Sequence, residues 1–526
     1  MPIQSSIGDF DLNLSVDTDE SVRAGVRREP ETPFRIAVLG NLGGHKQSDE
    51  PFSKRRFVRL DQDNFDAVMV KIGAHLSLHL SRANDELAIK LTFESLEDFH
   101  PDHIYERVEL FEKLRITRKD LQHPQKAAAE EVRSWWDNVQ TPPVAPQSAP
   151  EDSATEVFVS GSLLDQMLAA TEKKKKSRSG IDEERQSQHP AELTAFLRRI
   201  VEPHVSPKMD DDHEALIGAV DAAISQLMRE ILHHPEFQSL EAAWRSLYFL
   251  VSRLELNSEL QLHVLDISQE ELASDLLRAA DVRATGIYKL LVEETVETPG
   301  GTPWAVVVGD YAFGSSDEDL NVLRRMGDIA RRMSAPFIAG AKSQLLGCES
   351  LAETPDPEDW QQPEDHGNES WVLLRRSLPD AAYLGLALPR FLLRLPYGAE
   401  TEEAELFSFE EMPAVAAADS QHNAYLWGNA SFACAYLLGA AFTSAGWSAR
   451  PGAILDIEDL PLHVYQEDGG SSIKPCAETT LSERVAETIL ERGLMPLLSF
   501  RDQDKVRLAR FQSLADPPTR LAGLWD

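Results

Sequence analysis

The sequence predicts an α/β protein with mixed sheets covered by helices, and three observations carry that prediction. Short apolar runs such as Phe34–Gly40 and Trp304–Gly309 read as strands buried on both faces. Between them lie segments whose apolar residues recur at helical spacing. Pro-rich and charged stretches then divide 526 residues into units, with room for several domains of about 150 residues each.

The first element is a strand. Phe10, Leu12, Leu14 and Val16 alternate with Asp11, Asn13, Ser15 and Asp17, the period-2 pattern of a half-buried strand. A charged tether to Glu31 separates it from the next apolar segment. A tethered strand is either the edge of its own domain or an exchange element that pairs with another subunit. Phe34–Gly40 is the next strand, Asp63 to Ile72 a short helix, and Leu87 to Phe93 a further strand. The alternating neighbours of His75 and His79 place both on a strand surface, and Pro101 opens a helix where its missing N–H costs nothing. Thr141 to Pro150 holds four prolines and almost nothing apolar, so it is a linker.

After it comes a short helix. Ser162 caps it, and Leu163, Leu164, Met167 and Leu168 form a compact apolar face that needs a partner. Lys173 to Lys176 then open a solvated tether that runs to about Pro190. The expected organisation is a strand and tether at 1–31, a domain at 32–140, a linker at 141–156, a helix and tether at 157–210, and a larger domain at 211–526. The two domains are expected to dock on each other across the linker.

In the larger domain, Leu216, Val220, Ile224, Leu227, Met228 and Ile231 line one helix, and Phe237, Leu240, Trp244, Leu247, Val251 and Leu254 line another beyond Pro235. Leu260 to Val264 alternates as a strand, and Ser268 to Glu271 is a capping box. Strands at 304–309, 336–339 and 383–388 alternate with helices at 317–333 and 429–445. Unbroken apolar strands joined by helices mean a parallel or mixed sheet.

Charge and chemistry narrow the function. With 52 basic and 87 acidic residues the formal charge is −35, which argues against nucleic acid or anionic lipid as a general partner. Three scattered cysteines suit a reducing compartment. The absence of a long apolar run or a signal peptide points to a cytoplasmic protein without direct membrane insertion. Gly40 to Gly44 follows a strand as phosphate loops do, but His45 and Gln47 break the required pattern. No histidine pair has zinc-site spacing and no nucleophile elbow occurs. Asp310, just after the strand ending at Gly309, keeps an enzyme reading open. Otherwise no catalytic, metal or cofactor-binding residue is expected.

Longer strings carry more information. Glu230 to Arg245, Val308 to Gly314, Ala335 to Ala339, Leu388 to Gly398, Tyr425 to Ala430, Leu460 to His463 and Lys474 to Cys476 together resemble the large sheath subunit of the bacterial type VI secretion system. Pro33 to Gly40, Arg56 to Asp66 and Phe93 to Asp102 resemble its small partner subunit. The resemblance implies a natural fusion of the two and a structural, non-catalytic role. It implies a contractile sheath made of many sheath subunits, which assembles around an inner tube protein on a baseplate and propels effectors into target cells. It further implies that Leu163, Leu164, Met167 and Leu168 form the helix that an AAA+ recycling unfoldase recognises. The large subunit of this family continues well past the position of Arg510, whereas this sequence ends at Asp526 after Pro517-Pro518. Two alternatives remain open: a non-polymerising sheath-end or baseplate adaptor, and an enzyme with a site near Asp310.

Overall fold

A computed structural model describes residues 31–45, 52–82, 85–121, 213–360, 366–412, 422–467 and 470–526. The segment before the linker contributes β1 (Phe34–Gly40), β2 (Val58–Leu60), and a hairpin of β3 (His75–Arg82) and β4 (Asp85–Thr92). Its helices are α1 (Phe65–Ile72), α2 (Pro101–Arg107) and α3 (Glu109–Leu121).

The later segment opens with α4 (His213–Leu232) and α5 (Pro235–Arg253), then β5 (Leu260–Asp266) and α6 (Gln269–Arg278). Next come β6 (Val306–Phe313), α7 (Asp317–Met333), β7 (Phe337–Ala341), α8 (His366–Ser377) and β8 (Leu384–Leu388). Two-residue strands β9 (Phe391–Leu392) and β10 (Trp427–Gly428) pair with each other ahead of α9 (Ala430–Ala445). The remaining elements are β11 (Asp456–Ile457), a hairpin of β12 (His463–Glu467) and β13 (Gly470–Lys474), α10 (Glu483–Glu491), β14 (Met495–Ser499) and β15 (Val506–Leu508).

Nine strands form one sheet in the order β11-β15-β14-β8-β7-β6-β1-β5-β2. From β14 to β5 all neighbours are parallel, while β2, β15 and β11 run antiparallel to their neighbours at the edges. The apolar run of β1 therefore has a physical reason, because it is hydrogen-bonded on both sides and covered on both faces. It pairs with β5 from Phe34↔Leu260 to Gly40↔Asp266, and with β6 from Ile36↔Val306 to Leu39↔Gly309. A strand from before the linker thus lies inside a sheet whose other inner strands come from after it.

Side chains alternate across this sheet into two layers. Ile36 and Val38 join a core built with α4, α5, α9, the β3–β4 hairpin and the α2–α3 pair. Ala37 and Leu39 enter a second core under α6, α7, α8 and α10. The local signals read from sequence hold where they are described. Ser268 and Glu271 form the capping box that opens α6, and Pro101 occupies the first turn of α2. Pro235 does more than stop α4: it is the first residue of α5, whose N-cap His234 accepts the Glu236 N–H on Nδ1. His75 and His79 lie on the exposed face of β3.

Candidate functional site: a buried charge hub at the junction

The elements from before and after the linker meet along a continuous junction. The indole Nε1 of Trp244, fully buried on α5, donates to the Leu42 carbonyl at 2.9 Å. Arg55 forms a buried bidentate pair with Glu271 at 2.6 and 3.1 Å, and the same carboxylate closes the capping box of α6. Asp102, in the first turn of α2, accepts the N–H groups of Glu405 and Leu406 at 2.9 and 3.1 Å. Tyr105 stacks on Phe407 with ring centroids 4.5 Å apart, and Arg118 of α3 pairs with Asp221 of α4 at 2.6 Å.

On the later segment's side of the junction sits a cluster of buried charges. Arg394 is clamped between Glu241 (2.7 and 3.2 Å) and Glu411 (2.7 and 3.1 Å). Arg245, one helical turn beyond Glu241, reaches the same carboxylate at 2.7 Å and donates to the Tyr397 hydroxyl at 2.9 Å. Glu411 also accepts the Tyr397 N–H at 2.8 Å. Burial alone would raise the Glu411 carboxyl, but Arg394 and the neighbouring His233 outweigh it and hold it down at about 2. Burial pushes the Tyr397 hydroxyl well up. His100, the N-cap of α2, packs edge-on against the Tyr397 ring, so the earlier segment supports the hub directly. Within the cluster each carboxylate faces a guanidinium: Glu241 is shared by Arg245 and Arg394, and Glu411 is paired with Arg394.

A second group lies beside it. Lys474 sits over the rings of Tyr425 and Trp427, 5.1 and 5.7 Å from their centroids, and its Nζ is 3.3 Å from His422 Nδ1. Arg390 pairs with Glu478 at 2.6 Å. Glu241 with Arg245, Arg394 with Tyr397, Tyr425 with Trp427, and Lys474 belong to four separate strings singled out in the sequence. Packing brings all four together.

The sequence-derived candidates fall in different places. Phe10, Leu12, Leu14 and Val16 lie outside the described residues, as do Leu163, Leu164, Met167 and Leu168. The Gly40–Gly44 turn has its anion position filled by the protein itself. Asp266 accepts the Leu42 and Gly43 N–H groups at 2.8 and 2.9 Å, and Asn41 accepts those of Gly44 and His45. Gly44 is required there, because its φ is +77° and an added Cβ would lie 2.2 Å from the His75 carbonyl oxygen. Asp310 lies within β6, where burial pushes its carboxyl up to about 7 against a smaller opposing pull from the Asn429 amide. Tyr311 donates its hydroxyl to the Ile267 carbonyl at 2.8 Å, so it braces the sheet. Sequence reasoning missed Glu241, Arg394 and Glu411 as a unit. A charged residue inside the apolar run Phe391–Tyr397 was the available signal.

Comparison with known proteins settles the lineage. The sequence profile of the EvpB/VipB tail sheath N-terminal domain matches residues 214–515, more than half of the chain. The chain belongs to this type VI secretion tail-sheath family. A second profile, that of the type VI secretion system VipA family, matches residues 15–133. Type VI secretion system sheath protein TssC1 of Pseudomonas aeruginosa is 37% identical over 314 residues, covering 58% of this chain and 61% of that protein. Sheath protein TssB1 of the same organism is 27% identical over 101 residues, covering 18% of this chain and 59% of that protein. The chain thus spans less than two thirds of the length of either relative. Large- and small-subunit sheath sequences are consequently joined in one polypeptide, as in a TssB–TssC fusion. Among the described residues no helix is long and apolar enough to cross a membrane, and no group of three or more His, Cys, Asp or Glu side chains could hold a metal ion.

Proposed function

We propose that the chain is a single-chain sheath protomer, in which small- and large-subunit modules at 32–140 and 211–526 act as one building block of a contractile tube. The observation that carries this reading is β1, a strand of the VipA-type segment hydrogen-bonded on both edges by strands of the VipB-type segment. An internal strand fixes the two modules in one orientation, as a repeating lattice needs. The protomer assembles with further copies in the cytoplasm around an inner tube protein on a baseplate, and contraction propels effectors into a target cell without catalysis by the sheath. The strand Phe10–Val16 pairs with neighbouring subunits, since strand addition supplies backbone hydrogen bonds and alternating side-chain pockets. The apolar face of Leu163, Leu164, Met167 and Leu168 is the grip of an AAA+ recycling unfoldase. Negative-stain microscopy of the purified chain tests the main reading. Helical tubes or striated filaments are expected, and discrete particles at all concentrations and salt conditions would overturn it.

A further inference from the structure

On a chain with a formal charge of −35, the guanidinium of Arg35 is partly buried without a carboxylate. Its contacts are the Thr302 carbonyl, to which Nη1 donates, and the face of Trp304, 3.9 Å from the ring centroid. Burial, with no acidic neighbour to offset it, lowers its pKa to about 10. The register adds a second cation. Arg35 lies opposite Gln261 on β5, His263 is two residues on along the same face, and Arg59 of β2 is paired with His263. Arg59 is exposed and donates to the Asn257 carbonyl at 2.8 Å. Among the described residues neither arginine has an ion-pair partner. Burial together with Arg35 and Arg59 lowers His263 to about 4, so this imidazole stays neutral and adds no positive charge at pH 7. A further donor, the Trp304 Nε1, is buried in the same cluster without a hydrogen-bond partner. Two guanidiniums without counter-charges on one face of the sheet, one of them held over the Trp304 ring, have the chemistry of an anion site.

We propose that Arg35 and Arg59, beside the Trp304 ring, receive carboxylates from a second copy of this chain, supplied by the acidic loop Glu400–Glu405. That loop exposes Glu400, Glu402, Glu403 and Glu405. Its buried residues Ala404 and Phe407 belong to the core on one face of the nine-stranded sheet, whereas Trp304 belongs to the core on the other. Donor and acceptor therefore lie on opposite layers of the body, so the contact is head-to-tail. A heterologous contact of that kind repeats into an open helical array unless its rotation closes a ring. The guanidinium fork suits a carboxylate bidentately, and the indole face on which Arg35 lies keeps the fork oriented.

The inference rests on the sheath reading for its biological setting, but its test does not. A fluorescein-labelled peptide of residues 399–406 is titrated into the full chain and followed by anisotropy. Saturable, salt-sensitive binding is expected, weakened at least tenfold by Arg35→Gln and by Arg59→Gln, and lost when the four glutamates of the peptide are replaced by glutamine. Arg59 is exposed, so its variant keeps the test valid if Arg35→Gln fails to fold. No saturable binding, or binding indifferent to Arg59→Gln, overturns the proposal. Inorganic phosphate that binds in an Arg59-dependent way while the peptide does not would assign the site to a small free anion, and the second-copy proposal falls. Tubes seen by microscopy without peptide binding would remove this inference and leave the sheath reading standing. Peptide binding without tubes would do the reverse.

Discussion

Replacing Arg394 by methionine removes all four of its contacts to Glu241 and Glu411 while keeping much of its apolar volume. Glu241 keeps Arg245 as a partner. Among the described residues Glu411 keeps only the Tyr397 N–H and a 3.5 Å approach to His233, and both carboxylates are fully enclosed. Breaking a buried ion pair by removing one partner costs about 3–5 kcal/mol, because the other charge is left without compensation. For a cooperative unit of roughly 400 residues, about 4 kcal/mol corresponds to a drop of about 5 °C in Tm. Adding Glu411→Gln to Arg394→Met removes the stranded charge and leaves Glu241 paired with Arg245, so about half of the loss is expected to return. Thermal unfolding followed by circular dichroism, with urea melts alongside, reads both variants. A loss below about 1 kcal/mol for Arg394→Met, or a double variant worse than the single one, would refute the claim that uncompensated burial sets the cost.

The same geometry sets further expectations. Asp310 has its folded pKa raised from 3.8 to about 7, so its stabilising effect is complete below pH 3.8 and is lost as pH rises through 7. Asp310→Asn is therefore expected to stabilise the protein at pH 8 by up to about 4 kcal/mol and to change little at pH 4, as urea melts at the two pH values will show. Glu411 has the opposite sign: its contribution is present above 4.5 and fades as pH falls towards 2, so Glu411→Gln should flatten the acid limb of a stability–pH curve. Gly44→Ala should cost about 2 kcal/mol or more through its left-handed φ and the clash with His75, and proteolysis of the β1–α1 region checks this. Leu12→Lys with Leu14→Lys should solubilise assemblies, measured by sedimentation, while the melting curve of the body stays unchanged.

Local order was legible in the sequence because its causes are local. Ser268 with Glu271, Pro101 at a helix start and the apolar spacing of α5 each reflect contacts within a few residues. The flanks of β1 could not be read in the same way. Seven consecutive residues, mostly apolar, report burial on two faces, yet nothing in them names β5, whose pairing partners lie more than 220 residues away. The hub is a mixed case. Local signals for it exist but went unread: Arg394 is a charge in an apolar run, and Glu241 and Arg245 are an i, i+4 pair on one helix. Their meeting depends on a contact 153 residues apart in sequence, and Glu411 reaches it through a loop with no repeating pattern. The Arg35 cluster was invisible for a related reason: a guanidinium without a counter-charge can be recognised only once its neighbours are known.

The internal position of β1 also imposes a timetable on synthesis. β1 leaves the ribosome roughly 270 residues before β6 is complete, which at 5–20 residues per second is about 14–55 s. Throughout that interval an apolar strand with both edges unpaired must wait for partners that do not yet exist. When two subunits are translated separately, the wait ends only on a productive encounter between chains. Here it ends when the same polypeptide delivers β5 and β6, so every completed chain carries the two modules in equal number, and neither is left as an orphan for proteases to clear.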